Sequence, residues 1–420
     1  MRVLIAISAW PGHFMPMVPL GWALRSAGHD VRVLCSPQEV DAVVRTGLHP
    51  DPRLLGLPMV WSTRLMNLFS AYHGTWRYPA RPLHPDTGEP LDLDTFDMGG
   101  WWSAAVDTFG RRWRQDAETA AAYGREWRPD LVVHDPLSAE GPLAAHAAGA
   151  LSVVHLWGPT GTEEPLCTTG GFGEGDPSRN SRARDSFGPD SPFGSAELAS
   201  VLDQQLTQVL DPCPGEFGLN SVGARLPIRF VPYNGPGTLP EKLPERDGRP
   251  RVCVVWGRTT TRGFGPVANK VEQAVTAATE LGAEVLLLAS ESDAGNAELP
   301  GQVHRLSEVP LHLVLPTCDA VIHAAGGGSI LTSMVCGVPQ LMLTVAENAE
   351  KWSAGRLERA GCGLSVRNYE ADVPAIKVEL ERLLSEPAFA ESARRLAGEA
   401  QSMPSPAAVA GQLESLVSAR

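Results

Sequence analysis

Two histidines stand where residue type and spacing could do chemistry. His323 opens the run His323-Ala-Ala-Gly-Gly-Gly-Ser329, directly after the apolar segment Ala320–His323. Glycines at Gly326, Gly327 and Gly328 let backbone N–H groups approach an oxyanion closely, and a helix opening at Ser329 adds about half a positive charge. Such a loop suits a diphosphate, with the His323 ring placed to donate a further hydrogen bond. The same residues equally suit a tight strand–helix turn that binds nothing. His13 lies in the turn Ala9-Trp10-Pro11-Gly12-His13, between a strand and a helix. That is the C-terminal edge of a sheet, where open α/β folds place their ligands. A helix N-terminus disfavours imidazolium, so a ring there stays neutral and can take a proton. A loop histidine touching solvent is the plain alternative.

The elements that must hold these residues follow from periodicity. Arg2–Ser8 is a short apolar run suited to a buried parallel strand. A helix is predicted from about Met17, with Leu20, Ala23, Leu24 and Ala27 on one face and Gly28 ending it. Asp30–Cys35 is the next strand, completing a βαβ unit. A helix from about Trp101 to Arg125, a strand at Leu131–His134, a helix at Leu137–Ala148 and a strand at Leu151–Leu156 follow. From Gly158 to about Gly194 the chain turns to Gly, Pro, Ser, Thr and charge, read as a flap over a site or as plain disorder. A Pro- and Gly-dense stretch at 233–250 reads as a linker. Beyond it, strands are expected at Arg251–Trp256, Glu284–Ala289, Ala320–His323 and Gln340–Val345, with helices between them and at Val373–Ser385 and Ala388–Gln401. Two alternating halves imply an α/β chain of two doubly wound, Rossmann-like domains facing across a cleft. Their expected bounds are 1–232 for an acceptor-binding domain and 251–403 for a nucleotide-sugar-binding domain. The final helix, 404–420, is expected to return to the first.

Composition narrows the partners. The chain has 420 residues and a formal net charge of -13. It shows no basic run, so nucleic acid and membrane surfaces are disfavoured. No apolar run approaches the ~20 residues of a membrane helix. Seven cysteines, odd in number and without a CxxC pair, argue against a disulfide framework or a zinc site. With no signal-peptide pattern at Met1, a cytoplasmic location is expected.

The His323 loop, followed by Cys336-Gly-Val-Pro-Gln340, resembles the donor-binding signature of family 1 glycosyltransferases. Met15-Pro-Met-Val-Pro-Leu-Gly-Trp-Ala-Leu24 and Ala27-Gly-His-Asp-Val-Arg-Val33 resemble the opening of bacterial antibiotic glycosyltransferases. So do Arg229-Phe-Val-Pro-Tyr-Asn-Gly235 and Val309-Pro-Leu-His-Leu-Val-Leu-Pro316. These segments lie in family order across both halves, nearest the branch acting on macrolides and aromatic polyketides. The resemblance implies a GT-B fold and metal-independent, inverting transfer without a cofactor. The donor it implies is a nucleotide-diphosphate deoxysugar, usually of thymidine diphosphate, and the acceptor a hydroxyl of a hydrophobic aglycone such as a polyketide. It further implies that His323 contacts the diphosphate, that Gly327, Gly328 and Ser329 cradle it through their N–H groups, and that Thr259, with Arg258 beside it, lies near the phosphates. Val309 would offer its backbone to the base. Relatives usually carry an aromatic where this chain has Glu308, and often Asp-Gln where it has Glu347-Asn348.

Inverting transfer needs the acceptor hydroxyl deprotonated as it attacks, and a positioned base contributes roughly 10²–10⁴-fold. The resemblance places that base at the turn holding His13, sometimes paired with an Asp. Asp107 and Asp97 lie in the right region for the partner. Three patterns are set aside. Asp92-Leu-Asp94 reads as a solvated turn rather than a metal-binding DxD. Ser8–Met15 has only Gly12 and is no dinucleotide fingerprint. His134-Asp135 lacks a GxSxG elbow and reads as strand-end packing.

Two other classes remain in view. A nucleotide-sugar 2-epimerase binds the same diphosphate but needs no acceptor pocket, for which the aromatic-rich stretch from Trp61 to Trp102 is suitable material. A non-catalytic homologue that binds a partner would have no need of both His13 and His323. An auxiliary activator protein, for which the stretch near Trp101–Arg125 is the expected contact, and a homodimer are left open.

Overall fold

The computed structural model describes residues 1–159, 205, 207–217, 224–239, 243–295, 299–345 and 349–420. Two α/β units emerge, one built from Met1–Leu57, Asp97–Gly235 and Ser402–Arg420, the other from Pro58–Phe96 and Pro236–Gln401.

The sheet of the first unit contains β1 (Arg2–Ala6), β2 (Asp30–Leu34), β3 (His49–Asp51), β4 (Leu131–His134), β5 (Leu151–His155), β6 (Gln208–Asp211) and β7 (Ala224–Pro227). They run in the order β3-β2-β1-β4-β5-β6-β7, and every ladder is parallel. Val3 to Ala6 and Leu131 to Val133 are wholly buried, the mark of strands covered on both faces. The order reverses between β1 and β4, where Ala6 pairs His134. Doubly wound sheets bind ligands at such a reversal, beyond the carboxyl ends of the strands.

The second sheet contains β8 (Arg251–Val255), β9 (Glu284–Leu288), β10 (Val303–Arg305), β11 (Ala320–His323), β12 (Gln340–Thr344) and β13 (Gly363–Arg367). Its order is β10-β9-β8-β11-β12-β13, again parallel, with the reversal between β8 and β11 where Val255 pairs His323.

The structure redraws the expected domain bounds in one place. Pro58–Phe96, assigned from sequence to the first domain, belongs to the second unit. Its helix Met59–Tyr72 lies against the helix Arg258–Phe264. Asn67 donates to the Gly263 carbonyl at 3.1 Å and Arg64 to the Arg262 carbonyl at 2.9 Å. A Cβ on Gly263 would stand 2.6 Å from the Thr63 side chain, so only glycine permits the approach. Further on, the Tyr78 hydroxyl donates to Asn368 at 3.1 Å. At the other end of the chain, the helix Pro406–Ser418 is capped by Ser405 and packs Val409, Ala410 and Leu413 into the first unit's core with Val18, Leu20 and Leu24. Burying a leucine or valine side chain stabilises by about 1.5–3 kcal/mol, enough for that contact to hold a short helix.

Candidate active site

At the first reversal, β1 is followed by Ser8, Trp10 and the short helix Pro11–Phe14 that carries His13. Pro11 presets the helical φ at N1. Beside β1, β4 ends at His134 and delivers Asp135, which is fully buried. Asp135 Oδ1 accepts from Ser8 Oγ at 3.0 Å and from the Leu137 N–H at 2.8 Å, while Oδ2 accepts from the Ser8 N–H at 2.6 Å. His13 Nδ1 stands 3.4 Å from the same Oδ1 and 3.4 Å from Ser8 Oγ. Burial pushes the Asp135 carboxyl up, but its bond to His13, the attraction between them and the two backbone N–H donors together hold it below the ordinary range. An ionised carboxylate facing Nδ1 fixes a proton there and leaves Nε2 as the accepting nitrogen.

His13 is buried, and its ring is held by more than hydrogen bonds. Trp157 lies face to face with it at 3.6 Å between ring centroids and 6° between planes. Trp10 stacks at 5.3 Å and 13°. Other titratable groups sit around Asp135. Glu140, half-buried at the start of the helix Glu140–Ala148, is pushed up to about 7 by burial and then by the charges of Asp116 and Asp135. His155, at the end of β5, is buried, donates Nδ1 to the Leu156 carbonyl at 2.8 Å and is pushed down to about 4 by burial.

The aspartates expected beside His13 are elsewhere. Asp107 projects from the helix Met98–Trp127, its side chain 79% exposed, and pairs with Arg111 one turn on at 3.7 Å. Asp97 caps the same helix, accepting from the Gly100 N–H at 3.0 Å. Asp135, set aside as packing, is the carboxylate beside His13. Only His134 behaves as strand-end packing. The signal that could have found Asp135 was strand order: β4 neighbours β1 in this topology, so the residue after β4 lies beside the turn after β1. Asp92 and Asp94 do form a surface turn, with Asp92 paired to Arg81 at 2.9 Å.

At the second reversal, β11 ends at His323 and the helix Gly327–Cys336 begins, with Gly326 as its N-cap and no side chain capping it. Its first N–H groups, those of Gly327, Gly328 and Ser329, have no carbonyl inside the helix to bond. A Cβ built on Gly326 or Gly328 would meet nothing within 4 Å, so the loop is open at those two positions. On the neighbouring strand, β8 leads through Gly257 into the helix Arg258–Phe264, with Thr259 half-buried in its first turn. The arrangement aims N–H dipoles past the sheet edge and can hold an anion.

His323 does not join that cradle directly. Its ring is 1% exposed, Nδ1 accepts from the Ala325 N–H at 3.0 Å, and Nε2 bonds the Gln340 Oε1 at 3.0 Å. Burial pushes it down to about 4. Both nitrogens are spent inside the fold, so the expected donation to a diphosphate is replaced by a bracing role. The ring holds Ala325 in the left-handed conformation, φ 59°, that turns the chain into Gly326. Gln340 extends the brace by donating to the Ile330 carbonyl at 3.2 Å. Val309 lies half-buried after the edge strand β10, behind an exposed Glu308 at φ 53°. The Arg258 side chain, Glu347, Asn348 and the flap from residue 160 onward lie outside the described residues.

Among the described residues, no three His, Cys, Asp or Glu side chains are grouped to hold a metal ion, and no helix is long and apolar enough to cross a membrane.

Comparison with known proteins fits this geometry. Models of the erythromycin biosynthesis protein CIII-like family match residues 102–257 with the N-terminal domain and 272–416 with the C-terminal domain. Aklavinone 7-beta-L-rhodosaminyltransferase of Streptomyces galilaeus is 32% identical, covering 99% of this chain and 96% of its own. Tylactone mycaminosyltransferase of Streptomyces fradiae is 29% identical, covering 99% and 92%. Among solved structures, a spinosyn rhamnosyltransferase complexed with thymidine diphosphate superposes with a TM-score of 0.71 at 26% identity, covering 99% of this chain and 100% of that one. The chain therefore belongs to the erythromycin biosynthesis protein CIII-like family of GT-B antibiotic glycosyltransferases.

Proposed function

We propose that this enzyme moves a deoxysugar from a thymidine-diphosphate donor to a hydroxyl of a polyketide-type aglycone, with inversion and without a metal ion. The observation that carries the reading is the His13–Asp135 pair at the first sheet's reversal. His13 Nε2 takes the proton of the acceptor hydroxyl as its oxygen forms a bond to the anomeric carbon. The bond from that carbon to the diphosphate breaks on the opposite face, and the electron pair leaves with the diphosphate. Asp135 stabilises the imidazolium and stays ionised. The amides of Gly327, Gly328 and Ser329 accept the charge growing on the leaving group, a role for which preorganised dipoles serve best. With these amides supplying that charge compensation, the displacement needs no cation.

The names of the relatives support donor and acceptor class, and all three are transferases rather than epimerases. The reading includes neither an activator protein nor a homodimer.

A panel tests it. Thymidine-diphosphate-linked mycaminose, rhodosamine and rhamnose are each incubated with tylactone, aklavinone or a spinosyn aglycone, with and without EDTA. Expected are a product of aglycone plus sugar less water, a reversed anomeric configuration by NMR, and rates unchanged by EDTA. Donor consumed equally well without any acceptor would overturn the transfer reading.

A further inference from the structure

The imidazole of His13 stacks with two indoles, and the closer one, Trp157, lies face to face with it at 3.6 Å between ring centroids. We infer that Trp157 is a positioning residue for the base: it locks the plane of the His13 ring and stabilises the imidazolium that forms when the acceptor proton is taken. This rests on the proposed role of His13.

Three observations converge on it. A histidine tethered only at Nδ1, 3.4 Å from both Asp135 Oδ1 and Ser8 Oγ, is free to swing about χ2, since terminal ring torsions are broad. The near-parallel indole of Trp157 against the ring face removes that freedom. Second, the π faces are electron-rich, so they attract the ring more strongly once it carries a proton. Third, the placement follows closely from the frame: β5 ends at His155, two residues before Trp157, and β5 pairs β4, which delivers Asp135. Carboxylate and indole thus arrive from adjacent strands and take one edge and one face of the same ring. The charged group facing His13 is Asp135, with Ser8 between them. The charge of Asp135 acts in turn on Glu140 and His155, from the next helix and strand.

The test compares Trp157→Leu and Trp157→Phe with the wild type, alone and in a His13→Ala background. In the wild type, the His13 Cε1–H NMR signal, identified by its loss in His13→Ala, should lie upfield under the indole ring currents and move downfield in Trp157→Leu. With the best donor–acceptor pair of the panel, Trp157→Leu should lower kcat roughly 3- to 30-fold with KM for the nucleotide sugar unchanged. Trp157→Phe should recover most of that loss. Adding Trp157→Leu to His13→Ala should cost nothing further. A wild-type signal at its ordinary position, an unchanged kcat, or a loss confined to the acceptor KM would overturn the inference. Full activity in His13→Ala would instead remove the base itself. Should Trp157→Leu fail to fold, the Phe variant and the wild-type spectrum still decide.

Discussion

His134 and His323 occupy the same place in their two sheets. Each ends the strand just past the reversal, His134 beside Ala6 and His323 beside Val255. Each is buried and pushed by burial to about 4. Each reaches across to a polar side chain on the next strand, Ser152 at 3.2 Å for one and Gln340 at 3.0 Å for the other. The Nδ1 of each bonds backbone just beyond the strand, at 3.0 Å in both cases. Two histidines conspicuous in the sequence are therefore braces, and the groups proposed for the chemistry, Asp135 and the glycine loop, follow them along the chain.

The base pair yields the sharpest kinetic contrast. His13→Ala should lower kcat by roughly 10²–10⁴-fold with thymidine-diphosphate affinity nearly intact. Asp135→Asn should lose roughly 10²-fold or more, because an amide neither fixes the tautomer nor stabilises imidazolium. Asp107→Ala, an exposed partner of Arg111, should stay within about twofold. Steady-state kinetics on the three variants checks the ranking, and an Asp107 effect as large as that of Asp135 would contradict the geometry.

For His323→Ala the expected phenotype is first one of stability. Two buried hydrogen bonds and the ring volume disappear, a loss of about 2–4 kcal/mol. Nucleotide affinity should fall as Ala325 relaxes out of its left-handed turn. His134→Ala should destabilise by a similar amount and leave nucleotide affinity alone. Denaturant unfolding beside calorimetric titration with thymidine diphosphate separates the two outcomes.

The glycines after β11 should dissociate folding from binding. At Gly328 a Cβ meets no atom within 4 Å, so Gly328→Ala should fold normally while crowding the amides an anion needs. Thymidine-diphosphate affinity should drop roughly tenfold, about 1.4 kcal/mol, at an unchanged melting temperature. Gly363→Ala is the opposite case. Its Cβ would stand 2.4 Å from the Gln340 carbonyl oxygen, so the variant should fold poorly.

Acid should weaken the fold in a defined window. His134, His155 and His323 sit at about 4, against ~6.5 for an unfolded chain. Between those values the unfolded state binds more protons, so stability falls as pH drops from 6.5 towards 4, by on the order of 3 kcal/mol per ring. Glu140 runs the other way. Pushed up to about 7, it binds its proton more tightly when folded, so its contribution is lost as pH rises towards 7. Glu140→Gln should therefore raise the urea midpoint at pH 8 and change it little at pH 4.

Much of the frame was legible in the residues. The strands at Leu131–His134 and Ala320–His323 and the helix at Val373–Ser385 match their predicted bounds, because continuous apolar runs and capped amphipathic stretches carry their own signal. The edge strands were not foreseen. β3, His49–Asp51, is three residues long with a proline inside, and β10 is equally short. Pairing with a neighbour makes them strands, and pairing is a property of the fold. The site divides in the same way. The position of His13 and the open glycine loop could be read from the turn chemistry. Asp135, Trp157 and the inward turn of His323 depend on which strands lie side by side, and a single strand's sequence does not contain that.

The excursion of Pro58–Phe96 into the second unit, with the return of Ser402–Arg420 to the first, bears on how such enzymes can be recombined. The polypeptide changes unit at four points, so one cut near Gly235 leaves each piece missing a segment and carrying a stray one. A chimera that exchanges donor specificity with a relative must carry the helix Met59–Tyr72 along with the C-terminal half, or the Gly263 groove receives a side chain it was not shaped for.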